Sequence, residues 1–230
     1  MATIGTYKDY ALHTIENFAQ KDAASRYLLF NAVKDLKIET VLDFGCGAGQ
    51  ELLPFVEKTK AFCVGIDVAP QLGSVTKEFF RQMNAEARAA FTRTRGEILP
   101  FADASFDVLC RVALPYMNNR QTIAEVARVL RPKGIFLLKT HAPMFYVNMI
   151  SERRKTLSVK QIAYPLICLA GGVWHSLIGT QLQNGFWAGK EVYQTERFLR
   201  GEFARNNLQI KGFLPDTNRA TPSFVVEKIR

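Results

Sequence analysis

The chain has 230 residues, a formal net charge of +9, and 48% hydrophobic and 11% aromatic side chains. That apolar content can fill a core, which excludes wholesale disorder, and the length suits one domain with room for an elaboration. Cys46, Cys63, Cys110 and Cys168 are widely spaced and form no C-x-x-C pair, which argues against a disulfide framework or zinc site and fits a reducing cytoplasm.

Residues Met1 to Asp9 show no basic segment followed by an apolar run, so no secretory leader is expected. Residues 6–36 read as two helical stretches. From Glu39 the pattern changes to short, wholly apolar runs at Thr40–Phe44, Ala61–Ile66, Ala89–Thr94, Phe106–Val112 and Gly134–Thr140. Amphipathic stretches at Gln50–Lys58, Gln71–Asn84 and Thr122–Leu130 lie between them. Apolar strands alternating with helices predict a parallel sheet covered on both faces. After a predicted helix at Val192–Asn206 come strands at Leu208–Phe213 and Ser223–Ile229, joined by a turn at Pro215–Asn218. A turn that short permits only an antiparallel pair. The expected fold is therefore α/β and Rossmann-like: a seven-stranded, mainly parallel sheet with a C-terminal antiparallel hairpin and a helical insertion after strand five.

The strongest motif is Val41-Leu42-Asp43-Phe44-Gly45-Cys46-Gly47-Ala48-Gly49-Gln50, a strand running into a glycine-rich loop and then a helix. Glycines let the backbone turn sharply and approach a ligand closely, and the helix start offers free N–H groups. A P-loop would need Gly-Lys-Ser/Thr where this chain has Gly49-Gln50-Glu51, and the G-x-G-x-G spacing departs from the dinucleotide fingerprint. Carboxylates at Asp43 and Glu51 would repel a pyrophosphate but suit a cationic, amino-bearing ligand such as S-adenosylmethionine. Asp67 ends the next predicted strand in Val64-Gly65-Ile66-Asp67-Val68, placed to accept two ribose hydroxyls. A lone Asp there would more simply be a cap; beside the glycine loop, the ribose role is the stronger reading. Cys46 reads as a small residue between glycines, since no His partner adjoins it.

Together, D-x-G-x-G-x-G and G-I-D resemble the class I S-adenosylmethionine-dependent methyltransferases. Two further runs extend the resemblance over residues 39–140. Gly96 to Val108 is similar to that family's "LPF…SFD" segment, and Glu125 to Gly134 to its helix and turn before strand five. The resemblance extends to the broad group containing ubiquinone- and menaquinone-biosynthesis enzymes. It implies that Asp43, Gly45, Cys46, Gly47 and Gly49 line the methionine part of S-adenosylmethionine. It further implies that Asp67 holds the ribose, Val68 and Ile98 flank adenine with Glu97, and Arg111 lies near the sulfonium. Arg95 stands where the family often has an Asp for the adenine amino group, so the adenine contacts depart from the pattern. The implied organisation is a single domain: N-terminal helices (1–38), a cofactor-binding half (39–140), an insertion or lid (141–190), and a closing helix and hairpin (191–230).

Methyl transfer from a sulfonium needs alignment and water exclusion, with a base only if the acceptor must lose a proton. Candidate bases are His141, just beyond strand five, Tyr116, and His175 in the insertion; a structural role is the alternative for each histidine. Val112-Ala113-Leu114-Pro115-Tyr116-Met117 has no N/D-P-P-Y/F run, which argues against capture of base exocyclic amines.

From Gln161 to Gly189 no residue is charged, after the basic run Arg153-Arg154-Lys155. Three readings stay open: a spanning helix, weakened by Pro165, Gly171, Gly172 and His175; an interfacial element spanning 151–185 with cations facing lipid headgroups; and a helical lid over an acceptor pocket. The last two imply a small, apolar or lipid-like acceptor and a cytoplasmic protein, peripheral at a membrane in the second. Residues 151–230 carry 12 basic and 6 acidic side chains against 18 and 15 in residues 1–150, which motivates RNA methylation as an alternative. The missing amine-capturing loop and the lack of an appended RNA-binding motif count against nucleic acid. A non-catalytic cofactor-binding protein is the third alternative.

Overall fold

The computed structural model describes residues 16–18, 20–68, 80–81, 84, 86–111, 114–154, 158–215 and 219–230. Its strands are β1 (Thr40–Phe44), β2 (Phe62–Asp67), β3 (Ala89–Arg93), β4 (Phe106–Arg111), β5 (Leu130–Lys139), β6 (Leu208–Leu214) and β7 (Ser223–Lys228). They form one seven-stranded sheet in the order β3-β2-β1-β4-β5-β7-β6. β1 to β5 pair in parallel, and β7 runs antiparallel to both β5 and β6. This is the predicted architecture. The turn of the final hairpin, 216–218, and most of the predicted Gln71–Asn84 helix lie outside the described residues, as does the beginning of the first helical stretch.

Helices α1 (Ala23–Arg26) and α2 (Leu28–Asn31) are single turns, α3 is Leu53–Lys58, and α4 is Asn119–Val129. α5 (Pro143–Arg153) and α6 (Val159–Ile178) form the insertion, and α7 (Glu196–Arg205) closes the helical layer. The side-chain alternation of the strands sorts the core into two layers. Val41, Cys63, Val108, Cys110 and Leu137 pack with Leu29, Val33, Phe55 and Val56 on one face of the sheet. Leu42, Phe44, Ile66, Leu109, Phe136 and Leu138 pack with Ile123, Val126, Leu199 and Phe203 on the other. Both faces are covered, as continuous apolar strands require.

α6 continues through Pro165, contrary to the expectation that this proline interrupts it. Proline removes the hydrogen bond to the carbonyl four residues earlier, here Gln161. Arg153 Nη1 donates to that carbonyl at 3.2 Å, and its guanidinium stacks over Tyr164 at 5.2 Å, so the orphaned acceptor is satisfied from α5. Gly179 ends the helix in the left-handed conformation at φ 78°. Two glycines let the next segment lie against the helix: a Cβ on Gly171 would sit 3.1 Å from the Trp187 ring, and one on Gly172 would overlap the Tyr193 carbonyl. Gly172→Ala should therefore destabilise the fold by about 1–3 kcal/mol through overpacking against backbone. The check is a fall in thermal midpoint of roughly 2–12 °C for a chain of this size; an unchanged midpoint would mean that this contact is loose.

Candidate active site

In the order β3-β2-β1-β4-β5 the sheet changes direction between β1 and β4, and a cleft opens beyond the C-terminal ends of these strands. That is where open α/β sheets bind ligands. The cleft measures about 630 Å³. Gly45, Gly47, Ile66, Asp67 and Val68 line it from the first two strands, and Thr94, Arg95, Gly96 and Glu97 from the segment after β3. Tyr116 and Met117 line it after β4, and Gln181, Leu182, Gln183, Trp187, Gly189 and Lys190 after α6.

The glycine loop takes its shape from three left-handed residues, Gly45 at φ 60°, Gly47 at 55° and Gly49 at 78°. Any side chain with a Cβ would be strained at these angles. Cys46 N–H donates to the Ile66 carbonyl at 3.0 Å, and Gly47 N–H donates to Asp67 Oδ2 at 3.0 Å. The loop is thereby fastened to the tip of β2, with the Asp67 carboxylate at the cleft wall. Gln50 Oε1 is buried without a donor among the described residues and lies 3.9 Å from where a Gly47 Cβ would stand. An acceptor of this kind, with Asp67 nearby, fits a ligand bearing ammonium and hydroxyl donors.

The remaining predicted cofactor residues fall into different places. Asp43 is 2% exposed, in register between Gly65 and Cys110, and so lies beneath the loop rather than along the cleft. Cys46 is also buried, and its thiol packs where a Gly65 Cβ would otherwise be, 2.7 Å away. Burial, with Asp43 and Asp67 adding, pushes that thiol well up, so Cys46 is an inert filler that offers the site only its backbone. Gly49 precedes the 3-10 turn Gln50–Leu52 and receives Leu52 N–H on its carbonyl at 3.0 Å. It shapes the loop without lining the cleft. Ile98 is 74% exposed and outside the cleft lining, whereas Glu97 lines it and accepts Asn118 N–H at 2.9 Å. Arg111 ends β4, aligned with Phe44 and Leu138; its side chain lies outside what the structure describes.

Arg128 on α4 holds the segment beside Glu97. Its guanidinium donates to the Leu99 carbonyl at 3.0 Å, to the Phe101 carbonyl at 2.7 Å, and to Glu125 and Asp103. Glu125 in turn accepts Leu99 N–H at 2.7 Å. This network gives the LPF run and the Glu125–Arg128 helix, which the sequence presents separately, one shared physical role.

The segment following α6 is the wall that sequence reasoning did not resolve. Gln181 clips it to the β4–α4 loop, accepting Asn119 N–H at 2.9 Å and donating to the Met117 carbonyl at 2.7 Å. Val192 N–H donates to the Pro115 carbonyl at 2.9 Å. The lid expected from the sequence takes in the whole insertion; among its described residues, those that line the cleft fall within 181–190.

Behind this wall sits Glu191, 5% exposed and absent from the sequence-derived candidates. It accepts Tyr116 O–H at 2.7 Å and Tyr146 O–H at 3.5 Å, and lies 2.9 Å from His141 Nδ1. Burial alone would raise its pKa, but the hydrogen bonds from His141 and Tyr116 outweigh that and hold the carboxyl below the usual range. An ionised carboxylate only accepts, so His141 carries a proton on Nδ1 toward Glu191, and it is the neutral ring that presents Nε2 as an acceptor. The His141 ring stacks on Phe145, with centroids 3.7 Å apart and planes 10° from parallel. Burial, then the Glu191 charge, pushes the Tyr146 phenol far up, so it stays a neutral donor.

His175, the third predicted base, lies in the core. It is 1% exposed, its ring is 4.1 Å from that of Phe198, and desolvation lowers its basicity. It faces the helical layer and not the cleft, so the structure joins His141 and Tyr116 through Glu191, with Tyr116 in the cleft lining and His141 behind it, and leaves His175 apart.

Comparison with known proteins agrees with this geometry. A family model described as a methyltransferase domain matches residues 41–134. The chain is 38% identical over 103 residues to the uncharacterized methyltransferase YcgJ of Bacillus subtilis, covering 44% of this chain and 40% of that protein. It is 31% identical over 198 residues to the O-methyltransferase cnsE of Penicillium expansum, covering 78% of this chain and 68% of that one. The fold superposes on geranyl diphosphate C-methyltransferase from Streptomyces coelicolor with a TM-score of 0.62 at 11% identity, covering 99% of this chain and 89% of that one. Several curated relatives are matched over less than half their length, 40% for the Bacillus protein and 34% and 29% for two others. Motif order, sheet topology and the extent of the Penicillium match agree: this chain belongs to the class I S-adenosylmethionine-dependent methyltransferases, with S-adenosylmethionine as its cofactor.

Proposed function

We propose that this chain transfers a methyl group from S-adenosylmethionine to a small, apolar, lipid-like acceptor. The observation that carries the reading is the make-up of the cleft. One set of its residues, Gly45, Gly47 and Asp67, suits a cationic nucleoside, and another, Met117, Leu182 and Trp187, is apolar and comes partly from the uncharged insertion. Names of relatives support a small organic acceptor: a sterol 4-C-methyltransferase of Caenorhabditis elegans and a 27-O-demethylrifamycin SV methyltransferase of Amycolatopsis mediterranei.

When bound, S-adenosylmethionine supplies a methyl carbon made electrophilic by its sulfonium. In this reading Asp67 holds the ribose hydroxyls, the loop N–H groups and Gln50 receive the methionine end, and Glu97 borders the adenine. The 181–190 wall excludes water and fixes the acceptor's approach, which is most of what an in-line displacement asks of a protein. Where the acceptor must lose a proton, His141 Nε2 takes it and Glu191 stabilises the resulting imidazolium. Tyr116 shares the Glu191 carboxylate and borders the cleft, so it orients the acceptor.

Incubating the protein with methyl-labelled cofactor and fractionated cell extract tests this. Label should enter the solvent-extractable, apolar fraction; label found only in RNA would favour the nucleic acid alternative, and cofactor binding without any transfer would favour a non-catalytic protein.

A further inference from the structure

α6 presents its residues the wrong way round for a helix facing water. Its inner side holds Pro165, Cys168, Gly171, Gly172 and His175, all buried. On the outer side Val159, Leu166, Val173 and Leu177 fall within a narrow arc at 100° per residue, and they are 82%, 54%, 49% and 69% exposed. Trp174, also exposed, flanks the same arc. An ordinary surface helix would carry charge there, yet from Gln161 to Gly189 there is none.

Length and composition would let α6 cross a bilayer. Its attachments forbid it. Tyr193 N–H reaches the Cys168 carbonyl, Thr195 Oγ1 donates to Ser176 Oγ at 2.7 Å, Trp187 and Tyr193 pack on Gly171 and Gly172, and His175 packs on Phe198. One whole side of the helix is part of the domain, so lipid can meet only the other.

We propose that the outer face of α6 is a docking surface for a membrane rich in anionic lipid, with the helix axis lying along the bilayer plane. Charge complementarity selects this occupant. Residues 141–190 carry five cations, Arg153, Arg154, Lys155, Lys160 and Lys190, against the single acid Glu152, in a chain of net charge +9. Four of the five lie at or just before the start of α6, where exposed Arg154 and Lys160 can meet headgroups while the apolar arc enters the acyl boundary. Exposed Trp174 is the residue type that settles at that boundary. A second copy of this chain would present the same excess of positive charge and gains no such complementarity. Docking here brings the membrane to the element whose following segment, 181–190, walls the cleft.

Flotation of the purified chain with vesicles tests the surface without any methyl acceptor. The wild type should bind phosphatidylcholine vesicles containing phosphatidylglycerol, bind pure phosphatidylcholine weakly, and release as salt is raised. Leu166→Glu/Leu177→Glu changes exposed side chains only; it should lower the bound fraction at least about tenfold while S-adenosylhomocysteine binding is retained. Arg154→Glu/Lys160→Glu should reduce binding to the anionic vesicles and leave the weak binding to neutral ones unchanged. The proposal is overturned if the wild type does not float with anionic vesicles. It is overturned equally if both double variants float as the wild type does, or if light scattering shows a dimer that Leu166→Glu/Leu177→Glu dissolves without any vesicle binding in the wild type.

Discussion

Replacing Asp67 with Ala is expected to weaken binding of S-adenosylmethionine and S-adenosylhomocysteine by roughly 10- to 100-fold, measured by titration calorimetry. A hydrogen bond to a charged group contributes about 1.5–3 kcal/mol, and about 1.4 kcal/mol corresponds to tenfold in affinity. Asp67 stands at the cleft wall at the end of β2, with Oδ2 accepting the Gly47 N–H. Removing it therefore takes away the acceptor for the ribose and also loosens the glycine loop. Asp67→Asn separates the two effects, because its amide oxygen can still receive Gly47 N–H while the charge is lost. An intermediate loss for Asn and a larger one for Ala would show both contributions; unchanged affinity in both variants would refute the ribose assignment. Thermal stability should change little, since Asp67 is only partly buried.

The strands were legible because each is a short apolar run closed by a turn residue, and a parallel sheet buries both faces of such runs. β5 shows where local reading stops. Its predicted start was Gly134, yet the strand begins at Leu130, which pairs with Phe106 before the register shifts. Leu130-Arg131-Pro132 looks like the end of a helix, and only the partner strand four-and-twenty residues earlier makes it extended. The 181–190 wall carries no periodicity, being mostly Gln, Asn, Gly and aromatic residues with Leu182, Ala188 and Lys190 among them. Its position comes from Gln181 binding backbone groups 62 and 64 residues away, a relation no local pattern encodes. Motif spacing likewise groups Asp43, Cys46 and Ile98 with the ligand, whereas strand alternation turns Asp43 into the core, the loop's fastening to β2 buries Cys46 against Gly65, and loop geometry leaves Ile98 exposed. Glu191 left one faint trace: with Lys190, it ends a run of uncharged residues, but nothing in the chain marks it as buried.

Glu191→Gln is expected to have the second large effect, and it connects fold to chemistry. The carboxylate ties together the residue after β5 (His141), α5 (Tyr146), and the β4–α4 loop (Tyr116), and its own N–H faces the Tyr164 hydroxyl of α6 at 3.5 Å. An amide of the same shape keeps one acceptor but gives up the charge, so the charge-assisted bonds weaken and stability should fall by about 1.5–3 kcal/mol. For a chain of this size that lowers the thermal midpoint by roughly 3–12 °C at neutral pH. The pH dependence has a definite sign. Because the folded carboxyl is held below its ordinary value of 4.5, its contribution is fully present above that value and disappears as pH falls through the folded one. The stability gap between wild type and Glu191→Gln should therefore be present at neutral pH and close progressively below about pH 4.5. On an acceptor that must lose a proton, the variant should also turn over of order 10²-fold more slowly, with cofactor affinity retained, because His141 Nδ1 loses the anion that fixes its tautomer. A stability gap that persists unchanged into acid would mean that Glu191 is neutral in the folded protein, and the proton-accepting role given to His141 would fall with it.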